Sequence, residues 1–122
     1  MMDLTTLTIL DTTVYGEPSG NYDGSSTSFD SDGEKGVGYY RGQGNLQTVW
    51  IRVTGFEGKI TVQASLNENW QDAAWFDTYT YDTASSVITD YHPVTLTGNF
   101  AWVRVSVTDF LAGTINSVNI TY

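Results

Sequence analysis

The chain has 122 residues, no cysteine, and fourteen acids against five Lys and Arg, for a formal net charge of −9. That length suits one domain, residues 1–122, able to bury roughly two-thirds of its unfolded surface without disulfides. The acidity argues against nucleic acid or an anionic membrane as a partner, since both call for basic patches.

Residues 4–10 read as a first, imperfectly alternating strand, of the kind found at a sheet edge. Residues 16–36 follow as a polar stretch dense in Gly, Ser, Asp and Asn, with Tyr22 and Phe29 its large apolar side chains. So long an aperiodic segment reads as a functional loop, or as an arm that orders on a partner. Residues 37–41 predict a short strand, and 47–56 a longer one. After a turn at Glu57-Gly58, residues 59–66 return with Ile60, Val62, Ala64 and Leu66 pointing in. Further strands are expected at 74–81, 85–89 and 92–97. The last third carries a second long pair, 102–110 and 114–122, about Ala112-Gly113.

One phrase occurs twice. Trp50-Ile51-Arg52-Val53-Thr54 matches Trp102-Val103-Arg104-Val105-Ser106, and each copy is followed by a Phe, a Gly and an Ile. Two long β-hairpins of similar design are the natural reading. Helix periodicity is missing throughout. The expectation is an all-β domain, a β-sandwich of eight or nine antiparallel strands with jelly-roll-like connectivity.

Catalytic chemistry finds little to stand on. There is one histidine, His92, and it precedes Pro93; there is no nucleophile-elbow motif. Asp72, Asp77, Asp82 and Asp90 lie near Trp70, Trp75 and Tyr79, yet acids in the loops of an acidic protein are ordinarily solvated. The expectation is no enzyme and no cofactor. Asp30, Asp32 and Glu34 form half of a calcium-loop pattern, a weak metal candidate that lacks the distal bidentate Glu and flanking helices.

The aromatics carry more. On the two Trp-x-Arg strands the β-branched residues claim one face and leave Trp50, Arg52, Trp102 and Arg104 on the other. Outward Trp and Arg are the common anchors of protein interfaces, and Tyr22 and Phe29 of the polar arm join them as candidate interface residues. The same side chains could stack on sugars or form cation–π contacts. Trp70, Asp72 and Trp75 make a second, carbohydrate-binding candidate.

Residues 98–104 through 112–115, and Val53-Thr54-Gly55-Phe56-Glu57-Gly58 followed by residues 60–66, resemble segments of virion structural proteins of tailed phages, especially those infecting marine cyanobacteria. The resemblance spans about the last two-thirds of the chain and carries no site motif. It implies a β-sandwich used in particle decoration, fibres or tail attachments. The function it implies is a capsid decoration protein that joins other virion proteins by interface burial, as a homo-oligomer. The alternatives are a tail, neck or fibre-associated protein, or a carbohydrate-binding host-recognition module. The expected location is the virion, assembled in the host cytoplasm. Consistent with that, residues 1–6 lack the charge and apolar pattern of a signal peptide, and no apolar run reaches the ~20 residues needed to span a bilayer.

Overall fold

A computed structural model describes residues 6–39, 46–66 and 74–122. Eight strands follow in order: β1 (Thr6–Leu10), β2 (Thr13–Val14), β3 (Phe29–Asp30), β4 (Glu34–Lys35), β5 (Leu46–Ser65), β6 (Phe76–Asp82), β7 (Ile88–Thr97) and β8 (Trp102–Thr121). All pairing is antiparallel. Two of the strands, β5 and β8, run for 20 residues each and pair with one another from end to end.

These two strands correct the hairpin expectation. Glu57-Gly58 and Ala112-Gly113 do not reverse the chain; both strands bend there together and continue into a second sheet. Their ladder slips register between Thr54 and Lys59, where Gly55 and Gly58 have positive φ and Asp109 and Gly113 do so opposite. Gly113 (φ +90°) lies against the Gly55 carbonyl, and a Cβ there would collide with it. Such bulges and glycines are how a sheet turns a corner.

Each half then recruits its own neighbours. In the first sheet, β1 and β2 pair with the second half of β8, that half pairs with the first half of β5, and β7 closes the far edge. In the second sheet, β3 and β4 pair with the first half of β8, which pairs with the second half of β5, and β6 forms the edge. Counting each half of β5 and β8 as one segment, the chain visits the sheets in jelly-roll order. The expected β-sandwich is the observed fold.

Alternation explains the core. Val49, Ile51 and Val53 from the first sheet meet Ile60 and Val62 from the second, with Val103, Val105 and Val107 facing Ile115, Val118 and Ile120, all in one buried cluster. Leu66, expected to point in, is exposed, and Ser65 takes the buried place at the strand end.

The polar arm also differs from expectation. Tyr22 is 1% exposed and Phe29 is buried; their rings pack on Phe110 at 5.3 and 6.3 Å, with Phe56 at 5.6 Å. The Tyr22 hydroxyl accepts a hydrogen bond from the Gly16 amide at 2.9 Å. Between β3 and β4, the Ser31 backbone amide donates to the Val105 carbonyl, and the Ser31 hydroxyl accepts from the Val105 amide. The arm therefore orders on its own sandwich, because two aromatic rings and a regular set of backbone bonds reward it for doing so. Residues 37–39 form a turn instead of the start of a strand, and residues 40 and 41 fall outside the described part. The two strands expected on either side of residues 90–91 are one strand, β7, which tolerates Pro93 because it lies at a sheet edge.

Candidate functional site

The two Trp-x-Arg phrases lie on opposite outer faces of the sandwich. Trp50 and Arg52 stand in the first half of β5, in the first sheet; Trp102 and Arg104 stand in the first half of β8, in the second. They do not form one patch, and the two arginines live in different surroundings.

On the second sheet, Arg104 is committed to its own chain. Its Nε donates to Gln63 Oε1 at 2.8 Å, Gln63 Nε2 donates to Asp77 Oδ1 at 2.9 Å, and Asp30 lies 3.8 Å away. The guanidinium sits over the Trp75 ring at 4.5 Å. Trp102 packs edge-on against Tyr39 at 5.0 Å, with the Lys35 ammonium 4.9 Å from the Tyr39 ring. Trp75 is thus bound into an intramolecular cluster, while Trp70 and Asp72, its expected partners in a sugar site, lie outside the described residues.

On the first sheet the outer face is open. Cross-strand register sets Arg52 opposite Tyr91 of β7 and Trp50 opposite Pro93. The Trp50 and Tyr91 rings stand nearly perpendicular, 88° apart with centroids at 6.2 Å, and are 42% and 60% exposed. The Arg52 guanidinium fills the corner between them, 5.1 Å from one ring and 5.2 Å from the other. On the other flank, Asn119 lies opposite Trp50 and Ser117 opposite Arg52. Arg52 Nε, Ser117 Oγ and Asn119 Oδ1 are all shielded from solvent without a hydrogen-bond partner among the described residues. Three such atoms side by side are unusual, since a shielded polar atom left without a partner costs about 1–3 kcal/mol. The remaining side chains of this face are mostly threonines.

Sequence reasoning found Trp50 and Arg52 but missed Tyr91, Ser117 and Asn119. The signal for Tyr91 was present. Ile88, Asp90, His92, Val94 and Leu96 alternate inward along β7, which forces Tyr91 outward, but the His-Pro step broke the reading into two strands.

The inner edges of β6 and β7 hold a separate polar cluster. His92 stacks on Tyr79, whose hydroxyl is 2.7 Å from His92 Nε2, and the Tyr81 hydroxyl donates to Asp90 Oδ2 at 3.1 Å. Burial and the Asp90 carboxylate push the Tyr81 hydroxyl up to about 12. These bonds join the two sheets along one side of the sandwich.

The calcium candidate does not assemble. Asp30 turns toward Arg104, whereas Asp32 accepts from Asn21 Nδ2 at 3.0 Å and lines, with Glu34 and Asp11, a groove beside β1. No group of three or more His, Cys, Asp or Glu side chains is placed to hold a metal among the described residues. Of the carboxylates considered for glycoside hydrolysis, Asp72 lies outside the described residues and the other three each accept from a different partner. Asp77 serves Gln63, Asp82 accepts from the Ala84 amide, and Asp90 serves Tyr81.

Comparison with known proteins gives a fold neighbour and no family. No family model matches the chain, and no curated protein matches it. Among solved structures, a family 29 carbohydrate-binding module from Piromyces equi is similar at 11% identity and a TM-score of 0.48, over 98% of this chain and 91% of that one.

Proposed function

We propose that this domain is a non-catalytic glycan-binding module, and that it binds with the outer face of its first sheet. The observation that carries the reading is the Trp50–Arg52–Tyr91 corner: two exposed rings framing a guanidinium on the outer face of the sheet. Sugar rings present one face of C–H bonds, which stacks on an indole or phenol, and a rim of hydroxyls, which hydrogen-bond to Arg, Asn and Ser. Trp50 and Tyr91 supply the stacking surfaces and Arg52 the donors; Ser117 Oγ and Asn119 Oδ1, one strand away, are shielded from solvent.

A protein interface would use the same residue types but needs more apolar surface. Stable interfaces bury about 800 Å² per partner around an apolar centre. Here the apolar content is two rings, Pro93 and, toward the strand end, Leu46 among threonines, enough for one or two sugar units. The test is affinity electrophoresis through a panel of soluble polysaccharides. Wild type should be retarded by at least one of them, and Trp50→Ala should lose the retardation while keeping its fold by circular dichroism. Retardation that survives in Trp50→Ala would count against this face.

The particle setting is a second reading. What favours it is that the segments resembling phage virion proteins make up most of β5 and β8, the framework of both sheets. In this reading the domain decorates the capsid, or sits on tail, neck or fibres as a host-recognition module that would use the same Trp50 face. Copy number in gradient-purified particles decides between these: hundreds of copies mean decoration, a few dozen or fewer mean tail or fibre, and absence ends the particle reading.

A further inference from the structure

We infer that the glycan taken by this face is acidic, a polymer of uronic acid or sulfated sugar, with its anionic group seated on Arg52. The inference rests on the glycan-binding reading above and specifies its ligand.

The chain carries fourteen acids, yet away from the corner at Glu57 the paired strands of the first sheet hold one described acid, Asp90. Asp30 and Asp77 belong to the second sheet; Asp90, though next to Tyr91 in sequence, turns to the opposite side and accepts from Tyr81. Lys59 and Arg104 each stand beside a carboxylate, at 3.7 and 3.8 Å. Arg52 has no carboxylate within ion-pair distance among the described residues, and its Nε donates to nothing. Two aromatic rings hold it in place instead.

A guanidinium held between rings is pre-oriented at little further entropy cost, and it offers paired donors to a carboxylate or sulfate. A face for neutral sugars gains from strong acceptors for hydroxyl protons, which Asp and Glu supply best; among the described residues the strand positions opposite Arg52 are Tyr91 and Ser117, neither of them an acid. Repulsion between an anionic polymer and the net charge of −9 does not forbid the contact. Exposed charges further apart than the Debye length, about 8 Å at physiological ionic strength, are largely screened from one another.

The test pairs acidic polymers with neutral counterparts: polygalacturonate against its methyl ester, and dextran sulfate against unsulfated dextran. Binding of the full chain is followed by tryptophan fluorescence for wild type, Arg52→Gln, Arg52→Lys and Trp50→Ala. The expected result is binding to at least one acidic polymer, weakened about ten-fold or more by esterification or the absence of sulfate, by Arg52→Gln and by added salt. Arg52→Lys should fall between, because a point charge loses the paired geometry. Equal binding of neutral and acidic forms, unchanged in Arg52→Gln but lost in Trp50→Ala, would overturn the acidic ligand and leave the glycan reading standing. No binding to any polymer, acidic or neutral, would overturn both.

Discussion

Tyr22 and Asp23 are neighbours in the polar arm with opposite duties. Tyr22 is a core residue, packed on Phe29 and Phe110 and bonded to the Gly16 amide. Tyr22→Ala should destabilise the fold by about 3–5 kcal/mol in a urea titration, as for other buried aromatic truncations; a loss under about 1 kcal/mol would show that the arm does not seal the core. Asp23 is exposed, and its carboxylate accepts from the Ser25 and Ser26 amides at 2.8 and 2.7 Å, which holds it down at about 2, below its ordinary 3.8. A depressed carboxylate stabilises the fold above its unfolded value, and the contribution fades as pH falls from about 3.8 through about 2. Asp23→Asn should therefore lower stability at neutral pH and lose less of it than wild type across that acid range. Parallel acid curves would deny Asp23 the role. Arg52 and Arg104 teach the same lesson: the same phrase gives one arginine occupied by Gln63, Asp30 and Trp75 and another held by two rings, with no acid at ion-pair distance among the described residues.

At the level of elements, the decisive features are the two corners that carry β5 and β8 from one sheet to the other. Gly113→Ala puts a Cβ into the Gly55 carbonyl at positive φ and should cost at least about 2 kcal/mol by thermal or urea unfolding. An unchanged midpoint would mean that the corner is not closely packed. Much of this level was legible in the sequence. The valines of residues 103–107 and the alternation through residues 59–64 pointed to strands, and their inward faces are the ones buried. What local pattern did not distinguish was a hairpin from a bend. Glu57-Gly58 and Ala112-Gly113 carry the same residues in either case. The choice is made by pairing between β5 and β8, whose partners lie 37 to 73 residues apart in sequence, together with Phe56 and Phe110, which fill the corner from inside. The polar arm was misread for a related reason: two aromatics in 21 residues give no period, yet they suffice to anchor the segment once Phe110 is there to receive them. The candidate site was half legible, since Trp50 and Arg52 share a strand while Tyr91 and Asn119 arrive from strands that only the fold places alongside.

For the whole molecule, the sandwich is closed along its sides by polar bonds as well as by its apolar core. Gln47, nearly fully buried, donates to the Gly98 carbonyl at 2.8 Å and accepts from the Val37 amide at 3.0 Å. The Tyr122 hydroxyl donates to the Lys35 carbonyl at 2.9 Å. On the β6–β7 side, Tyr81 bonds Asp90 across the two sheets. Because the folded state raises Tyr81 from 10.0 to about 12, its contribution is complete below pH 10 and is lost as pH rises through about 12. Tyr81→Phe should flatten the alkaline limb of stability over that window, and a limb identical to wild type would assign alkaline unfolding to other groups. The two faces of this sandwich differ in kind: the second is occupied by its own Arg104 network, and the first presents a guanidinium held between exposed rings, with no carboxylate partner among the described residues. The measurement that tests the account most directly is a nitrogen–proton NMR titration of the whole chain with an oligosaccharide cut from whichever polymer it binds. The account predicts shifts at the Trp50 indole, the Arg52 Nε–H and the amides flanking Tyr91 and Asn119. Shifts gathered instead around Trp75 and Arg104 would contradict it.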